Sequence, residues 1–236
     1  ASLSPKYLNE LRIYQRTLKQ KNQYLKMMRD GKSHDQLYLD VLNQKLSKSG
    51  GYIAWARNQN IIELEKYAKV IHFRLTQEKE QLQIIYLSEI RSNDLVSPET
   101  ANKALLANFQ KMNEREVRQG ITISGIQHDD LSFIINGTNV ASFGSQGQKR
   151  SVSISLKLSE IEIIKKVRKE TPILLLDDIF SELDQNRQTF LIKSFEKELQ
   201  IFITTTSIND LDCRIIEPPL ILKVTDGQVN NRSKDG

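Results

Sequence analysis

Cysteine is almost missing from this sequence. Cys213 stands alone among 236 residues, which excludes a disulfide framework and a cysteine-based zinc site. The three histidines, His34, His72 and His128, are far apart in the chain, which argues against a His-rich metal site. With 10 Gly and 5 Pro the chain is neither collagen-like nor a proline-rich disordered segment. No apolar run reaches the ~18–20 residues that would cross a bilayer, and no secretory signal opens the chain. The sequence reads as a soluble, cytoplasmic protein without a membrane partner. What it does contain is 39% apolar and 27% charged residues, enough for a core in one large or two small domains.

The net charge is +5, and it is unevenly placed. Residues 1–32 carry Lys6, Arg12, Arg16, Lys19, Lys21, Lys26, Arg29 and Lys32 against Glu10 and Asp30, a net of +6 that leaves −1 for the rest. A basic first helix on a nearly neutral body is either an electrostatic footprint for a nucleic-acid backbone or a solvated helix face.

Hydrophobic spacing predicts a helix over residues 5–29. Pro5 suits its first turn, Gly31 its stop, and Leu11, Tyr14, Leu18, Leu25 and Met28 form one apolar stripe. A second helix is expected from about Asp35 to a break at Gly50-Gly51, and a third from Tyr52 to Leu75. Leu82, Ile84 and Tyr86 alternate with polar Gln81 and Gln83, as in a strand. Ser97-Pro98 starts a helix that ends at Gly120. Residues 131–135 read as a strand, Asn136-Gly137 as a hairpin turn and residues 139–143 as the return strand. A helix follows the polar loop at residues 145–148 and runs to about Lys169. Strand 173–176, helix 184–198, strand 200–204 and strand 220–224 then alternate as in a parallel sheet covered by helices, and a polar tail begins near Asn230.

The chemistry-bearing stretch is Ile173-Leu174-Leu175-Leu176-Asp177-Asp178, four apolar residues ending in two carboxylates. Ligands of open α/β sheets bind at the carboxyl ends of strands. One acid there can hold Mg²⁺ on a nucleotide and a second can orient an attacking water, as in a Walker B element. A buried strand with capping acids would look the same. Upstream, Ser145-Gln146-Gly147-Gln148-Lys149-Arg150 stands directly before a helix, where backbone N–H groups and a hydroxyl suit a phosphate. Downstream come Ser181-Glu182-Leu183-Asp184 and then Thr204-Thr205-Thr206-Ser207 at the next strand end. Signature loop, helix, Walker B strand, Ser-x-Leu-Asp and polar switch, in that order, resemble the second half of an ABC-type ATPase head.

The same segments, together with Leu156-Lys157-Leu158-Ser159-Glu160-Ile161-Glu162, are similar to the RecF family of bacterial recombination mediators, which belongs with the SMC-like ABC ATPases. Gly125-Ile126-Gln127-His128-Asp129-Asp130-Leu131 is similar to the family's Gly-Pro-His-Arg-Asp-Asp-Leu element, departing at Ile126 and Gln127 and in the shift of the histidine to position 128. The resemblance implies an α/β fold: the C-terminal half of an ABC-type head, with a mostly parallel sheet and helices, preceded by a helical arm. Residues 1–119 would be the arm and 120–236 the head portion. It further implies ATP and Mg²⁺ as cofactors. The implied partners are DNA at gaps or single-stranded/double-stranded junctions, the proteins RecR and RecO, and a second copy in an ATP-dependent homodimer. The corresponding role is in gap and stalled-fork repair, recombination and the SOS response.

By that resemblance Asp177 is the Mg²⁺-associated carboxylate and Asp178 the catalytic one. Asp178 stands where many ABC ATPases have Glu, so hydrolysis is expected to be slow. Ser145, Gln146, Gly147 and Gln148 would meet a nucleotide held by the opposite subunit. Ser181 and Asp184 fall in the D-loop, Asp184 also suiting a helix cap. Thr205 or Thr206 falls at the switch, where the chain has no histidine. Arg12, Arg16, Lys19 and Lys26 are the candidate DNA contacts. His128, beside Asp129 and Asp130, is either a turn residue or a functional one, and His34 and His72 read as surface or packing residues. The sequence contains no Gly-x-x-x-x-Gly-Lys-Ser/Thr, the loop that cradles nucleotide phosphates. In the family that loop lies in an upstream segment, so the chain corresponds to the C-terminal two-thirds. The competing expectation is a helical DNA-binding or scaffold fragment without nucleotide chemistry. An ABC transporter subunit fits poorly, because Ser-Gln-Gly-Gln replaces Leu-Ser-Gly-Gly-Gln.

Overall fold

The computed structural model describes residues 4–169, 171–177, 183–195, 199–206 and 220–231. Helix α1 (Pro5–Arg29) starts where Ser4 Oγ accepts from Tyr7 N at 3.1 Å and Pro5 occupies the first turn. Helix α2 (Gln36–Leu75) is capped by Asp35, whose Oδ1 accepts from Tyr38 N. It runs 40 residues without interruption, about 60 Å. Helix α3 (Pro98–Gln119) opens with a reciprocal Ser97–Thr100 capping box and stops at left-handed Gly120.

The helix break expected at Gly50-Gly51 does not occur. Both glycines are buried at a helix crossing. A Cβ on Gly51 would stand 2.4 Å from Asn102 N, and one on Gly50 would stand 2.5 Å from Leu105 Cδ2 and 2.9 Å from Tyr14 Cε2. The glycines therefore let α3 and α1 approach α2, and packing offsets their low helix propensity. On an exposed helix, Gly→Ala would stabilise by about 1 kcal/mol. Here we expect the opposite sign: Gly51→Ala should destabilise by about 1–3 kcal/mol through overpacking against backbone. The urea midpoint followed by circular dichroism checks this, and a raised midpoint would refute the close approach.

Helix α2 serves more than one core. Its first half packs Leu46, Ile53 and Ala54 with Tyr14, Leu105, Phe109 and Ile126. Its second half presents Ala68 to Leu82, Ile84, Ile135, Val140 and Val152, and Leu75 to Ile154, Leu158, Leu174, Leu176 and Leu191. A single rigid element thus joins the three-helix part to the sheet-bearing part.

Strand β1 (Leu82–Leu87) pairs antiparallel with β2 (Asp130–Ile135), in register Leu82↔Ile135 through Leu87↔Asp130. The Asn136-Gly137 turn forms, both residues at positive φ, but the return strand β3 is only Thr138–Asn139. Residues Val140–Phe143 form a short helix, α4, instead of continuing that strand. Asn139 Oδ1 caps it by accepting from Ser142 N at 3.2 Å, and burial of Val140 holds the turn in place.

Helix α5 (Gln146–Arg168) then leads to β4 (Leu174–Asp177), helix α6 (Gln185–Lys193) and β5 (Ile201–Thr204). The expected parallel pairing is β4 on β5, with Leu174↔Ile201 through Asp177↔Thr204. The last strand lies slightly later than expected, at β6 (Leu222–Thr225). It forms an antiparallel hairpin with β7 (Gln228–Asn231) through Asp226-Gly227, a turn signal absent from the sequence-based expectation. Among the described residues the parallel part of the architecture is this one pair, with an antiparallel sheet on either side of it in the chain order.

Candidate functional site

The loop before α5 is built by its own side chains. Ser145 Oγ accepts from Gln148 N at 3.2 Å, and Gln148 Oε1 accepts from Ser145 N at 3.0 Å. This capping box fixes the helix start and leaves Ser145 and Gln146 exposed. The N–H groups of the first turn lack intrahelical acceptors, and they lie at the positive end of a 23-residue helix. A Cβ on Gly147 would stand 3.2 Å from Arg187 Nη1, so Gly147 leaves room for the guanidinium from α6.

Arg187 is itself held by Asp184. The Asp184 carboxylate caps α6 by accepting from Arg187 N at 3.0 Å and pairs with Arg187 Nη1 at 3.1 Å. The starts of α5 and α6 are thereby brought together. Asp177 closes β4, exposed, and its Oδ1 accepts from Thr204 Oγ1 at 2.5 Å across the parallel pair. The hydroxyl that meets this carboxylate is that of Thr204; Thr205 is half-buried and Thr206 exposed. Asp178, Ser181, Ser207 and Cys213 lie outside the described residues.

Beneath the loop runs a polar chain that sequence reasoning missed. Gln148 Nε2 donates to Glu80 Oε1 at 3.1 Å, and Glu80 Oε2 lies 3.1 Å from Nε2 of His72, which is fully buried. His72 Nδ1 lies 3.1 Å from Ser155 Oγ. On α5, Ser159, Ser155 and Ser151 each donate to the carbonyl four residues earlier, ending at Gly147 O. The available signal was the i, i+4, i+8 spacing of those serines on an otherwise apolar face.

Burial holds the His72 imidazole below the ordinary histidine range, opposed by the carboxylate of Glu80 and assisted by the charge of Arg187. The folded state therefore binds this proton more weakly than the unfolded state, whose value is about 6.5. Stability contributed by neutral His72 is present at higher pH and is lost as pH falls through the unfolded value toward the folded one. Urea midpoints at about pH 7.5 and about pH 5.5 should differ more in the parent than in His72→Gln. Equal differences would assign the acid sensitivity to another group.

The His128-Asp129-Asp130 element resolves into separate roles. His128 is exposed in the turn Ile126–His128. Asp129 is pinned by Arg57 Nη1 at 3.2 Å and by the Tyr86 hydroxyl, and burial pushes its carboxyl up. Arg57 also donates to Ile126 O at 2.8 Å. This geometry is that of an anchor tying the element to α2.

On α1, Arg12, Arg16, Lys19 and Lys26 are all exposed, at spacings of four, three and seven residues, so they share one helix face. Lys19 and Lys26 border a shallow groove of about 420 Å³ with Gln15, Leu18, Asn22 and Gln23. Lys21 departs from the expected basic surface. It is fully buried, 2.7 Å from Glu116 Oε2, with its ammonium 4.2 Å above the Phe109 ring. Among the described residues no helix is long and apolar enough to cross a membrane, and no group of three or more His, Cys, Asp or Glu forms a metal cluster.

No family model matches the sequence. It is 41% identical over 225 residues to the DNA replication and repair protein RecF of Pediococcus pentosaceus, covering 95% of this chain and 60% of that protein. Against RecF of Geobacillus thermodenitrificans it is 40% identical over 227 residues, with 96% and 61% covered. Among solved structures, the recombination mediator protein RecF of the RecFOR pathway, solved with ATP, superposes with a TM-score of 0.83 at 28% identity, covering 98% of this chain and 60% of that one. A structure of the recombination mediator protein RecF solved with ATPrS gives a TM-score of 0.82 at 31% identity. The chain spans about 60% of the length of the relatives it matches, and over that span it is similar to RecF in sequence and in fold.

Proposed function

We propose that this chain is the DNA-facing and signature-bearing part of an ATP-controlled recombination mediator that acts in DNA replication and repair, at gaps and stalled forks, in the cytoplasm. The observation that carries the reading is the match of 98% of the chain to RecF solved with ATP. Residues 1–119 are taken as the arm and residues 120–236 as the head portion. RecR and RecO are the partners this reading implies, from the RecFOR context of the matched structures.

The residues present fit the cofactors. Mg²⁺ bound to a nucleotide needs only one or two protein carboxylates beside phosphate oxygens and water, and Asp177 offers an exposed carboxylate oriented by Thr204. Asp178 would take the acid–base role and Ser181 the seam between subunits. Bound ATP supplies the phosphate charge. The chain's own Ser145 hydroxyl and the first N–H groups of α5 would face that charge from the opposite subunit. Two heads must then close around nucleotide, which gives a two-fold dimer with reciprocal contacts. A helical DNA-binding fragment without nucleotide chemistry is the second reading, favoured by the absence of a phosphate-cradling loop in this sequence.

The test uses a full-length RecF-type protein carrying these residues. Ser145→Arg places a bulky cation where hydroxyl and phosphate should meet. Sedimentation should show ATP-dependent dimers in the parent and monomers in Ser145→Arg, with nucleotide binding retained. Equal dimerisation of both proteins would reduce Ser145 to a helix cap.

A further inference from the structure

We infer that Glu80, clamped by buried His72, is a positioning residue for the Ser145–Gln148 loop, acting through the Gln148 side chain on how that loop meets an anionic ligand. The inference rests on the phosphate-facing role proposed above for the loop, and names the residues that regulate its geometry.

Gln148 has two jobs at once. Its Oε1 closes the capping box on Ser145 N, and its Nε2 donates to Glu80 Oε1 at 3.1 Å. The amide plane is therefore fixed at both ends, and with it the backbone of Ser145, Gln146 and Gly147 between. Glu80 in turn cannot swing freely. Its other oxygen meets Nε2 of His72, a ring that is fully buried and held on its far side by Ser155. A carboxylate oriented by a buried donor holds its second partner more narrowly than a free surface carboxylate does.

Glu80 also borders a cavity of about 260 Å³ shared with Thr76, Lys79, Asp184 and Arg187. Arg187 is the guanidinium packed against Gly147. Glu80 thus stands where the tip of α2, the start of α5 and the start of α6 meet, with Asp184 as the second carboxylate lining the cavity. Its own negative charge would repel phosphate. Glu80 therefore serves as a strut and not as a ligand to phosphate. Ser151, one turn into α5, bonds Gly147 O at 2.8 Å, so the loop is fixed from the helix side as well.

The experiment uses the full-length protein and reads ATP-dependent dimerisation beside nucleotide affinity of the monomer. Removing a charge-assisted hydrogen bond should weaken ATP-driven dimerisation by about ten- to a hundredfold in Glu80→Ala. ATP affinity of the monomer should be unchanged, because the loop acts on the opposite subunit's nucleotide. Glu80→Gln keeps the acceptor for Gln148 and the side-chain volume, so it should recover most of the loss; it also keeps the test valid if Glu80→Ala folds poorly. If Glu80 acts through Gln148, the double variant Glu80→Ala/Gln148→Ala should be no worse than the worse single. Additive losses would overturn the inference, as would unaltered dimerisation in Glu80→Ala while Ser145→Arg abolishes it. If Ser145→Arg also dimerises normally, the phosphate-facing reading falls first and this inference with it.

Discussion

Replacing Lys21 with alanine should cost the folded chain about 3–5 kcal/mol, one of the two largest effects expected here. The Lys21 ammonium and the Glu116 carboxylate are both fully buried between α1 and α3 and lie 2.7 Å apart. Burial pulls the Lys21 pKa down, and Glu116 opposes it. Glu116 also accepts from Ile123 N at 2.9 Å, so its charge organises the chain after α3 as well as the cation. Removing the cation leaves that carboxylate desolvated and uncompensated, and Lys21 Nζ no longer sits over the Phe109 ring. The double variant Lys21→Met/Glu116→Gln should be much milder than Lys21→Ala, because no charge is orphaned and the volume is nearly kept. Urea unfolding of the three proteins decides it. A Lys21→Ala loss within about 1 kcal/mol would mean that water reaches the pair.

The other large effect concerns DNA. Changing Arg12, Arg16, Lys19 and Lys26 together to Ala should make the slope of log affinity against log salt shallower by roughly 3–4 on duplex DNA, about 0.9 for each phosphate no longer neutralised. Four such phosphate pairings weaken binding about a hundredfold between about 50 and about 200 mM salt, and the variant should lack that dependence. The four exposed side chains span 14 residues of one helix face, about 21 Å, or about six phosphates along one strand. All four lie away from the core, so the variant should unfold at the parent's urea midpoint. Fluorescence anisotropy with labelled duplex over a salt series is the measurement. An unchanged slope would move the DNA surface off α1.

Much of this was legible in the order of residues. The stripe Leu11, Tyr14, Leu18, Leu25 and Met28 faces inward on α1 as its spacing required, and Ser97 and Ser145 stand at the starts of the helices they precede. The alternation of apolar strand, helix and apolar strand gave the parallel pair that ends in Asp177 and Thr204. These features are local: a cap, a stripe or a run of four apolar residues carries its own physical cause in consecutive side chains.

The failures came where a residue's conformation depends on a partner far along the chain. Gly50-Gly51 looks like a stop because glycine is a poor helix former. It is helical because Asn102, Leu105 and Tyr14 fill the space a side chain would need. Residues 140–143 have the composition of a strand, yet Val140 is buried and Asn139 caps the turn. Lys21 counted as surface charge until α3 brought Glu116 to it, 95 positions away in sequence and 2.7 Å away in space.

By itself, then, the sequence determined the starts of α1, α2, α3, α5 and α6, the apolar faces, the exposed basic stripe and the order of the ATPase-like segments, because each rests on neighbouring residues. Only the tertiary structure decided which polar groups act together. It joined Gln148 to Glu80 and His72, Arg187 to the Gly147 turn, and Thr204 to Asp177. Pairing between polar groups far apart in the chain is a property of distance in space, and no spacing along the chain encodes it.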